Sequence, residues 1–227
     1  MEPRKKVWKL IDEDDLEELL HNAAVLHGHY CPGLALGVKG SFELVKRMGL
    51  KSDGMEDILA IVETNNCASD GVQFVTGCTF GNNSLIFKDL GKTAFTLTDR
   101  DGNGLRVRVK NDASEYWNEK IDDYSELFEK VVSEREGNEK DKEELMNLSE
   151  KASLAVIHTE PNKIFEFEKM EVCIPEYAPI HDSYICSVCG EKVMATRTVE
   201  VDGDVLCLEC SDSDHSELTG FGIIDKG

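Results

Sequence analysis

The sequence predicts an α+β fold: an N-terminal domain of mixed helices and sheet, then a small four-cysteine zinc-ribbon domain of treble-clef-like type. Helical periodicity alternates with short apolar runs before Pro175 and Pro179, which mark a linker. Beyond the prolines, two Cys-x2-Cys pairs stand 17 residues apart, the spacing of a four-thiolate zinc site. We therefore expect residues 1–175 to form the N-terminal domain, 176–180 the linker and 181–227 the ribbon.

The composition indicates a globular chain that binds neither nucleic acid nor membrane. Hydrophobic residues make up 41% and charged residues 31%, and the net charge of −20 at pH 7 would repel phosphate backbones. No run approaches the roughly 18 apolar residues that cross a bilayer, and the N-terminus lacks the apolar core of a signal peptide. We expect a cytoplasmic protein whose eight cysteines bind metal rather than form disulfides.

The first two predicted helices flank a turn rich in metal-binding side chains. Apolar residues recur at helical spacing over residues 12–26. A second apolar run covers residues 34–50 and follows Pro32, a residue type favoured at the first helical position. The turn between the helices carries His27, His29 and Cys31.

This turn admits two interpretations. In the first, His27, His29 and Cys31 form half of a metal or thiol site, because the partial positive charge at a helix start favours a thiolate at Cys31. In the second, the segment is a buried turn in which His27 and Cys31 only pack. Residues downstream favour the first interpretation.

A second cysteine is predicted at a strand-to-helix junction. Residues 58–63 are apolar and branched, as in a strand buried on both faces, and residues 68–76 suit a helix that Gly77 ends. Cys67 lies between them, beside the helix start, where functional sites often collect. Several glycines leave one side of the 34–50 helix bare, which predicts close contact with another backbone or a ligand.

Cys78, the next cysteine, lies in a glycine-bounded loop, where a buried structural role competes with a functional one. Residues 84–110 are expected to form antiparallel sheet, since apolar and polar residues alternate around a turn at 101–104. The turn begins like a calcium loop, but Lys110 stands where the bidentate glutamate should be, so we exclude calcium.

The rest of the N-terminal domain is predicted to be helical and to end in an edge strand. We expect an amphipathic helix over residues 112–135, a charged loop or exposed helix end over 134–144 and another helix to about Ile157. Residues 164–172 alternate phenylalanine with glutamate, as an edge strand does.

The C-terminal cysteines predict a structural zinc ion. Four thiolates around zinc leave no open position, so such a site holds a fold together. Two disulfides are the competing interpretation, which a reducing compartment disfavours. A hairpin is expected over residues 193–204, and His181 and His215 lie just outside as bystanders. The four zinc ligands are Cys186, Cys189, Cys207 and Cys210.

Four motifs in order resemble the FmdE family, named for one of the subunits of formylmethanofuran dehydrogenase, the molybdenum or tungsten enzyme of one-carbon metabolism in methanogenic archaea. They are the His27–Gly33 turn, the Cys67–Gln73 segment, the Thr76–Gly81 loop and the four-cysteine ribbon, which together span nearly the whole chain. The sequence departs from the family at Asn82, where members commonly carry a lysine, so an anion contact from that loop is not expected.

The resemblance implies a second metal site in the N-terminal domain, in addition to the structural zinc. It also implies a dimer, and as partners the subunits of a molybdenum or tungsten formylmethanofuran dehydrogenase of methanogenesis. By motif, the ligands of the second site would be His27, His29, Cys31, Cys67 and Cys78.

Three functions stay open at this point. The leading hypothesis is a metal-binding accessory or subunit-like protein. Its rival is an enzyme in its own right that uses Cys31 or Cys67 as nucleophile and His29 as base, with Asp70 either orienting that histidine or capping a helix. The third is a structural adaptor that binds other proteins, because the acidic charge favours protein over nucleic acid.

Overall fold

The computed structural model describes residues 3–118 and 121–226. The chain divides into two compact units, Met1–Pro175 and Glu176–Gly227. The first contains helices and a mixed sheet, and the second contains small two-stranded sheets around four cysteines. The predicted α+β fold class is thereby confirmed. Within the described residues, no helix is both long and apolar enough to span a bilayer.

The helices of the first unit include one that the sequence did not predict. The helix expected over residues 12–26 begins only at Leu16, where Asp15 accepts a hydrogen bond from the Glu18 N–H, and a separate helix precedes it. The α-helices are α1 (Lys5–Asp12), α2 (Leu16–His27), α3 (Pro32–Met48), α4 (Ala68–Thr76), α5 (Glu115–Asn118), α6 (Tyr124–Phe128), α7 (Glu139–His158) and α8 (Pro161–Ile164).

The strands of the first unit are β1 (Ile58–Val62), β2 (Leu85–Phe87), β3 (Ala94–Asp99), β4 (Asn103–Val109) and β5 (Phe165–Glu171). They form one five-stranded sheet in the order β2-β1-β3-β4-β5. Strands β3, β4 and β5 pair antiparallel, as expected, and β5 is an edge strand. The prediction of purely antiparallel sheet over residues 84–110 is wrong for β2, which runs parallel to β1 because α4 carries the chain back between them.

Helix α3 is the centre of the first unit. It packs against α2, α4, α7 and strands β3 and β4, and 12 of its 17 residues are buried. Even Lys39 is buried, and its ammonium donates hydrogen bonds to the Ile157 and Thr159 carbonyls at the end of α7. Burial lowers the pKa of Lys39 to about 8. The central position of α3 places its first residue, and the turn before it, beside several other elements.

The single amphipathic helix predicted over residues 112–135 is wrong. The described part of this segment consists of the short helices α5 and α6 and a π-helical turn over Glu129–Ser133, while residues 119 and 120 lie outside the described structure. Asp123, the residue before α6, has a φ of +63°, which no helix can contain. Of the apolar side chains predicted to face inward, Tyr124 is buried but Phe128 is exposed, and Trp117, which was not among them, is also buried.

The second unit consists of three hairpins. The one hairpin expected over residues 193–204 is instead two, separated by a 3-10 turn, and the Asp202–Gly203 dipeptide forms the turn of the second. Both of its residues have positive φ, as a tight two-residue hairpin turn requires. The strands pair as β6 (Ser183–Ile185) with β7 (Lys192–Met194), β8 (Thr198–Val201) with β9 (Asp204–Cys207) and β10 (His215–Thr219) with β11 (Gly222–Lys226).

Candidate metal centre

Cys31 lies at the start of α3. Its backbone is extended, with φ −157°, and its thiol sulfur accepts a hydrogen bond from the Leu34 N–H at 3.3 Å. Pro32 occupies the first helical position, where its missing N–H costs no hydrogen bond. Cys31 is therefore the N-cap of α3, and its sulfur lies at the positive end of the helix dipole.

His27 is the last residue of α2 and is oriented by a carboxylate. Gly28 ends the helix in the left-handed conformation, with φ +91°. The His27 Nδ1 lies 2.7 Å from Asp70 Oδ2, so Nδ1 donates its proton and Nε2 keeps its lone pair. That Nε2 lies 3.7 Å from the Cys31 sulfur. A histidine held in this way by a carboxylate is the usual arrangement around a protein-bound metal ion.

Glycines bring the starts of α3 and α4 together. A Cβ on Gly37 would lie 2.0 Å from the Ala68 carbonyl oxygen, and one on Gly71 would lie 2.5 Å from the Val38 nitrogen. The two helix backbones therefore touch, which confirms the close contact expected from the bare side of the 34–50 helix.

Cys67 lies close to Cys31, beside the contact between α3 and α4. It is the residue before α4, at the strand-to-helix junction that the sequence predicted. A Cβ on Gly33 would lie 3.1 Å from the Cβ of Cys67 and 3.8 Å from both thiol sulfurs. Gly33 is therefore the spacer that lets the two cysteines approach each other.

Four side chains meet at this point. One donor atom each of His27, His29, Cys31 and Cys67 lies within 4.8 Å of the other three. Donor atoms around a tetrahedral zinc ion stand about 3.3–3.8 Å apart, given bond lengths of about 2.0–2.3 Å. Side-chain adjustments of about 1 Å would therefore bring all four into range, so the residues fit a metal ion of the zinc type.

Cys78 does not belong to this group. Its side chain is fully buried, and its thiol donates to the Ile58 carbonyl oxygen at 3.7 Å. Burial raises the pKa of Cys78 to about 11. The structure therefore places Cys78 in the core, and we leave it out of the site that we propose below.

The pKa values of the two clustered thiols shift in opposite directions. The hydrogen bond between them raises the pKa of Cys31, and burial raises it further. The same hydrogen bond lowers the pKa of Cys67 to about 5, helped by His27 and His29. Cys67 is therefore the thiolate of the pair, and the prediction of a thiolate at Cys31 from its helix start alone is wrong. A thiolate is the form that binds metal or attacks an electrophile.

The second unit contains the other cluster. Cys186, Cys189, Cys207 and Cys210 each place a sulfur within 4.8 Å of the other three. The Cys207 N–H donates to the Cys186 sulfur at 3.4 Å, and the Cys210 N–H donates to the Cys207 sulfur at 3.3 Å. Backbone N–H groups of Cys189 and Cys207 lower the pKa of Cys186 to about 6. These four residues fit the predicted zinc site of four thiolates.

Other residues singled out by the sequence have structural roles. Asn82 organises its own loop, because its side chain accepts from the Thr79 and Ser84 N–H groups and donates to the Gly77 carbonyl. Asp70 orients His27, whereas the sequence had suggested His29. No spacing rule links two residues 43 positions apart, so only the fold could identify this pair.

Comparison with family models supports both units. Residues 26–166 match the model described as FmdE, molybdenum formylmethanofuran dehydrogenase operon. Residues 182–212 match the prokaryotic dksA/traR C4-type zinc finger. The first match contains His27, His29, Cys31 and Cys67, and the second contains all four cysteines of the other cluster.

Two individual proteins are similar over most of this chain. A protein of Archaeoglobus fulgidus called "Probable S-adenosyl-L-methionine-binding protein" is 43% identical over 93% of this chain. The match covers 57% of that protein, so this chain spans little more than half of its length. The crystal structure of a tungsten formylmethanofuran dehydrogenase FmdE-like protein from Syntrophus aciditrophicus superposes with a TM-score of 0.53 and 26% identity, covering 86% of this chain and 91% of that one.

Proposed function

This chain belongs to the FmdE family, and on that premise we propose that it is a metal-binding accessory or subunit-like protein whose N-terminal domain holds an exchangeable metal ion. The ribbon would hold a second ion, a structural zinc. The observation that supports the proposal most strongly is the His/Cys cluster: four donor atoms within 4.8 Å of one another, drawn from segments that meet only in the fold. The family match contains this cluster.

The burial of the four donors differs, and this difference suggests how the metal would react. Cys31, Cys67 and His27 are partly buried, and packing or hydrogen bonds hold each of them. His29 is exposed and lies on the turn after Gly28. We infer three fixed ligands and one labile ligand. A zinc-type ion held in this way supplies a Lewis acid or a transferable metal when a substrate replaces the labile ligand.

Metal analysis of the full chain tests this function. Protein purified without added metal is expected to contain two metal equivalents per chain, and the double variant Cys31→Ser, Cys67→Ser is expected to contain one. The matched control is Cys173→Ser, which removes an exposed cysteine outside both clusters and should retain two. Two equivalents in the double variant, or one in the unaltered protein, would contradict the proposal.

The rival function, a thiol enzyme, is favoured by the lowered pKa of Cys67. In metal-depleted protein, Cys67 should be alkylated by iodoacetamide at a rate that is nearly constant from pH 6 to 8 and falls as the pH passes through about 5. A free thiol, with a pKa of about 8.5, reacts about tenfold slower for each pH unit below that value. If Cys67 is alkylated as fast in metal-loaded protein as in metal-depleted protein, Cys67 is not a metal ligand. That result would support the enzyme hypothesis.

The proposed function also includes binding to other protein chains. The Syntrophus protein is named FmdE-like after a tungsten formylmethanofuran dehydrogenase, which supports subunits of a molybdenum or tungsten enzyme as the class of partner. We also propose a homodimer, which light scattering of the purified chain would test. Acidic charge argues against nucleic acid, and a gel shift with RNA at low salt would contradict that expectation.

The name of the Archaeoglobus relative suggests an experiment rather than a further function. Because this chain spans only 57% of that protein, the binding named there can belong to the part outside the match. Equilibrium dialysis of the metal-loaded chain against S-adenosyl-L-methionine would decide the point. Saturable binding of one equivalent would assign this ligand to the matched part.

A further inference from the structure

A cavity of about 470 Å³ adjoins the two clustered thiols. Cys31 and Cys67 line one side of it, and aromatic residues of the segment between β4 and α7 line the other. We propose that this cavity binds a planar aromatic compound, uncharged or cationic, and holds its substituents against the metal centre. The inference rests on the proposed function for the role of the metal, but the cavity itself is independent of whether a metal is bound.

Aromatic side chains determine the shape of the ligand. Trp117 and Tyr124 are buried, whereas Phe128 lies at the cavity wall with 40% of its surface exposed. The rings of Tyr124 and Phe128 stand 6.1 Å apart at 43°. A large ring left this exposed beside a cavity gains most from a flat apolar partner, because aromatic pairs add stabilisation beyond the area they bury. The volume lies within the range of small-molecule sites.

Polar groups and charge determine which aromatic compounds fit. Asn118 and Ser125 line the cavity and can hydrogen-bond the edge of a heterocycle. Glu129 also lines it, and among the described residues of the lining there is no lysine or arginine. Together with the net charge of −20, this lining repels anions. On the wall opposite the two thiols, neutral or cationic rings are therefore favoured over anionic rings.

The backbone at the cavity is irregular in a way that suits a binding site. The π-helical turn over Glu129–Ser133 begins at the residue after Phe128, and the Glu134 N–H donates to the Glu129 carbonyl at 2.9 Å across five residues. Such π turns are rare and occur frequently at functional sites. Here the turn follows directly on the cavity wall, because Phe128 precedes it and Glu129 is its first residue.

A titration with three probes tests the proposal. Ligand-observed NMR of the full metal-loaded chain would measure binding of indole, 1-methylquinolinium and 1-naphthalenesulfonate, an anion that ligates metal ions poorly. We expect saturable binding of the first two and at least tenfold weaker binding of the sulfonate. Phe128→Ala should weaken indole binding about five-fold, the worth of one aromatic contact. Phe128→Tyr keeps the ring and should bind indole as the unaltered protein does.

The matched control is Phe221→Ala, which removes a 95% exposed phenylalanine of the second unit and should leave indole binding unchanged. The proposal is overturned if indole binding does not saturate, if Phe128→Ala binds indole as tightly as the unaltered chain, or if the sulfonate binds as well as indole. The metal content of the same samples tests the proposed metal site separately from the proposed binding site in the cavity. Indole binding by a chain that contains only one metal equivalent would contradict the proposed metal-binding function but support the proposed binding site in the cavity.

Discussion

In each of the two cysteine clusters the four donor atoms lie within 4.8 Å of one another, but the two clusters are built in opposite ways. In the ribbon, four like ligands come from two Cys-x2-Cys turns, and each pair is adjacent in the chain. In the N-terminal domain, two thiols 36 positions apart are joined by two histidines, at a point where packed helices begin. The first cluster depends on local sequence, and the second depends on the whole domain.

This difference decides what each metal can do. The second unit has few buried side chains apart from Cys186, so without zinc little would hold it together. The N-terminal unit has a large core, and its ligands are positioned by helix starts, by Asp70 and by the contact at Gly37. We therefore expect the N-terminal unit to stay folded when the proposed site holds no metal ion. A metal that contributes to folding is structural, whereas one bound to a preformed site is available for exchange or chemistry.

The comparison predicts that loss of a ribbon ligand unfolds the second unit. In Cys186→Ser, zinc binding worth on the order of 10 kcal/mol to a zinc-finger fold is weakened or lost. Limited proteolysis followed by mass spectrometry should then show rapid cleavage within residues 176–227 and an intact region before them. Cys173→Ser, the matched control, should be cleaved as slowly as the unaltered chain. Protection of the ribbon in Cys186→Ser would remove the distinction between the two clusters.

Gly37→Ala should damage the other cluster by moving a helix rather than a ligand. The new Cβ would lie 2.0 Å from the Ala68 carbonyl oxygen, so α4 and with it Cys67 must shift. We expect the free energy of unfolding in urea to fall by about 3 kcal/mol. Metal analysis should also show that one metal equivalent is lost.

The control for this substitution is Gly81→Ala, at a position with no atom within 4 Å of the added Cβ. Its effect on the free energy of unfolding should stay within about 0.5 kcal/mol. If Gly37→Ala retained both metal equivalents, the helix contact would not be what assembles the site.

Asp70→Asn tests the orientation of His27 and should leave the fold intact. Removing the carboxylate charge weakens the His27 contact at 2.7 Å, and loss of such a partner lowers metal affinity by about 10- to 100-fold. Competition with a chromophoric chelator would measure this loss, with the exposed Asp112→Asn as control. Unchanged affinity would show that the hydrogen bond between His27 and Asp70 only connects α2 to α4.

The smallest effect is expected for His29→Ala, because this ligand is exposed and a water can take its place. Metal affinity should fall less than about tenfold, or about 1.4 kcal/mol, and the stoichiometry should stay at two. The exposed His158→Ala serves as control. Complete loss of one metal from His29→Ala would mean a closed site of four essential ligands, and the contrast with the ribbon would fail.

Much of the fold follows from local patterns. Helix α4 lies over the residues predicted for it, and α3 starts at the predicted proline and stops at Gly49, because caps and apolar periodicity act within a few residues. The segment 112–135 shows the limit of such patterns. Its apolar spacing fits one helix, but the backbone breaks at Asp123, and three short elements result.

Local patterns alone predicted which four cysteines cluster in the ribbon, since each Cys-x2-Cys pair is short-range and the spacing of the pairs is diagnostic. They also placed Cys31 and Cys67 at helix starts. The packing of the whole domain, which no local pattern reveals, brings these two thiols together, keeps Cys78 in the core, pairs Asp70 with His27 and forms a cavity beside the thiols. The reason is physical. Hydrogen bonds and periodicity along a chain are short-ranged, whereas the approach of α3 to α4 depends on two glycine surfaces matching across the core.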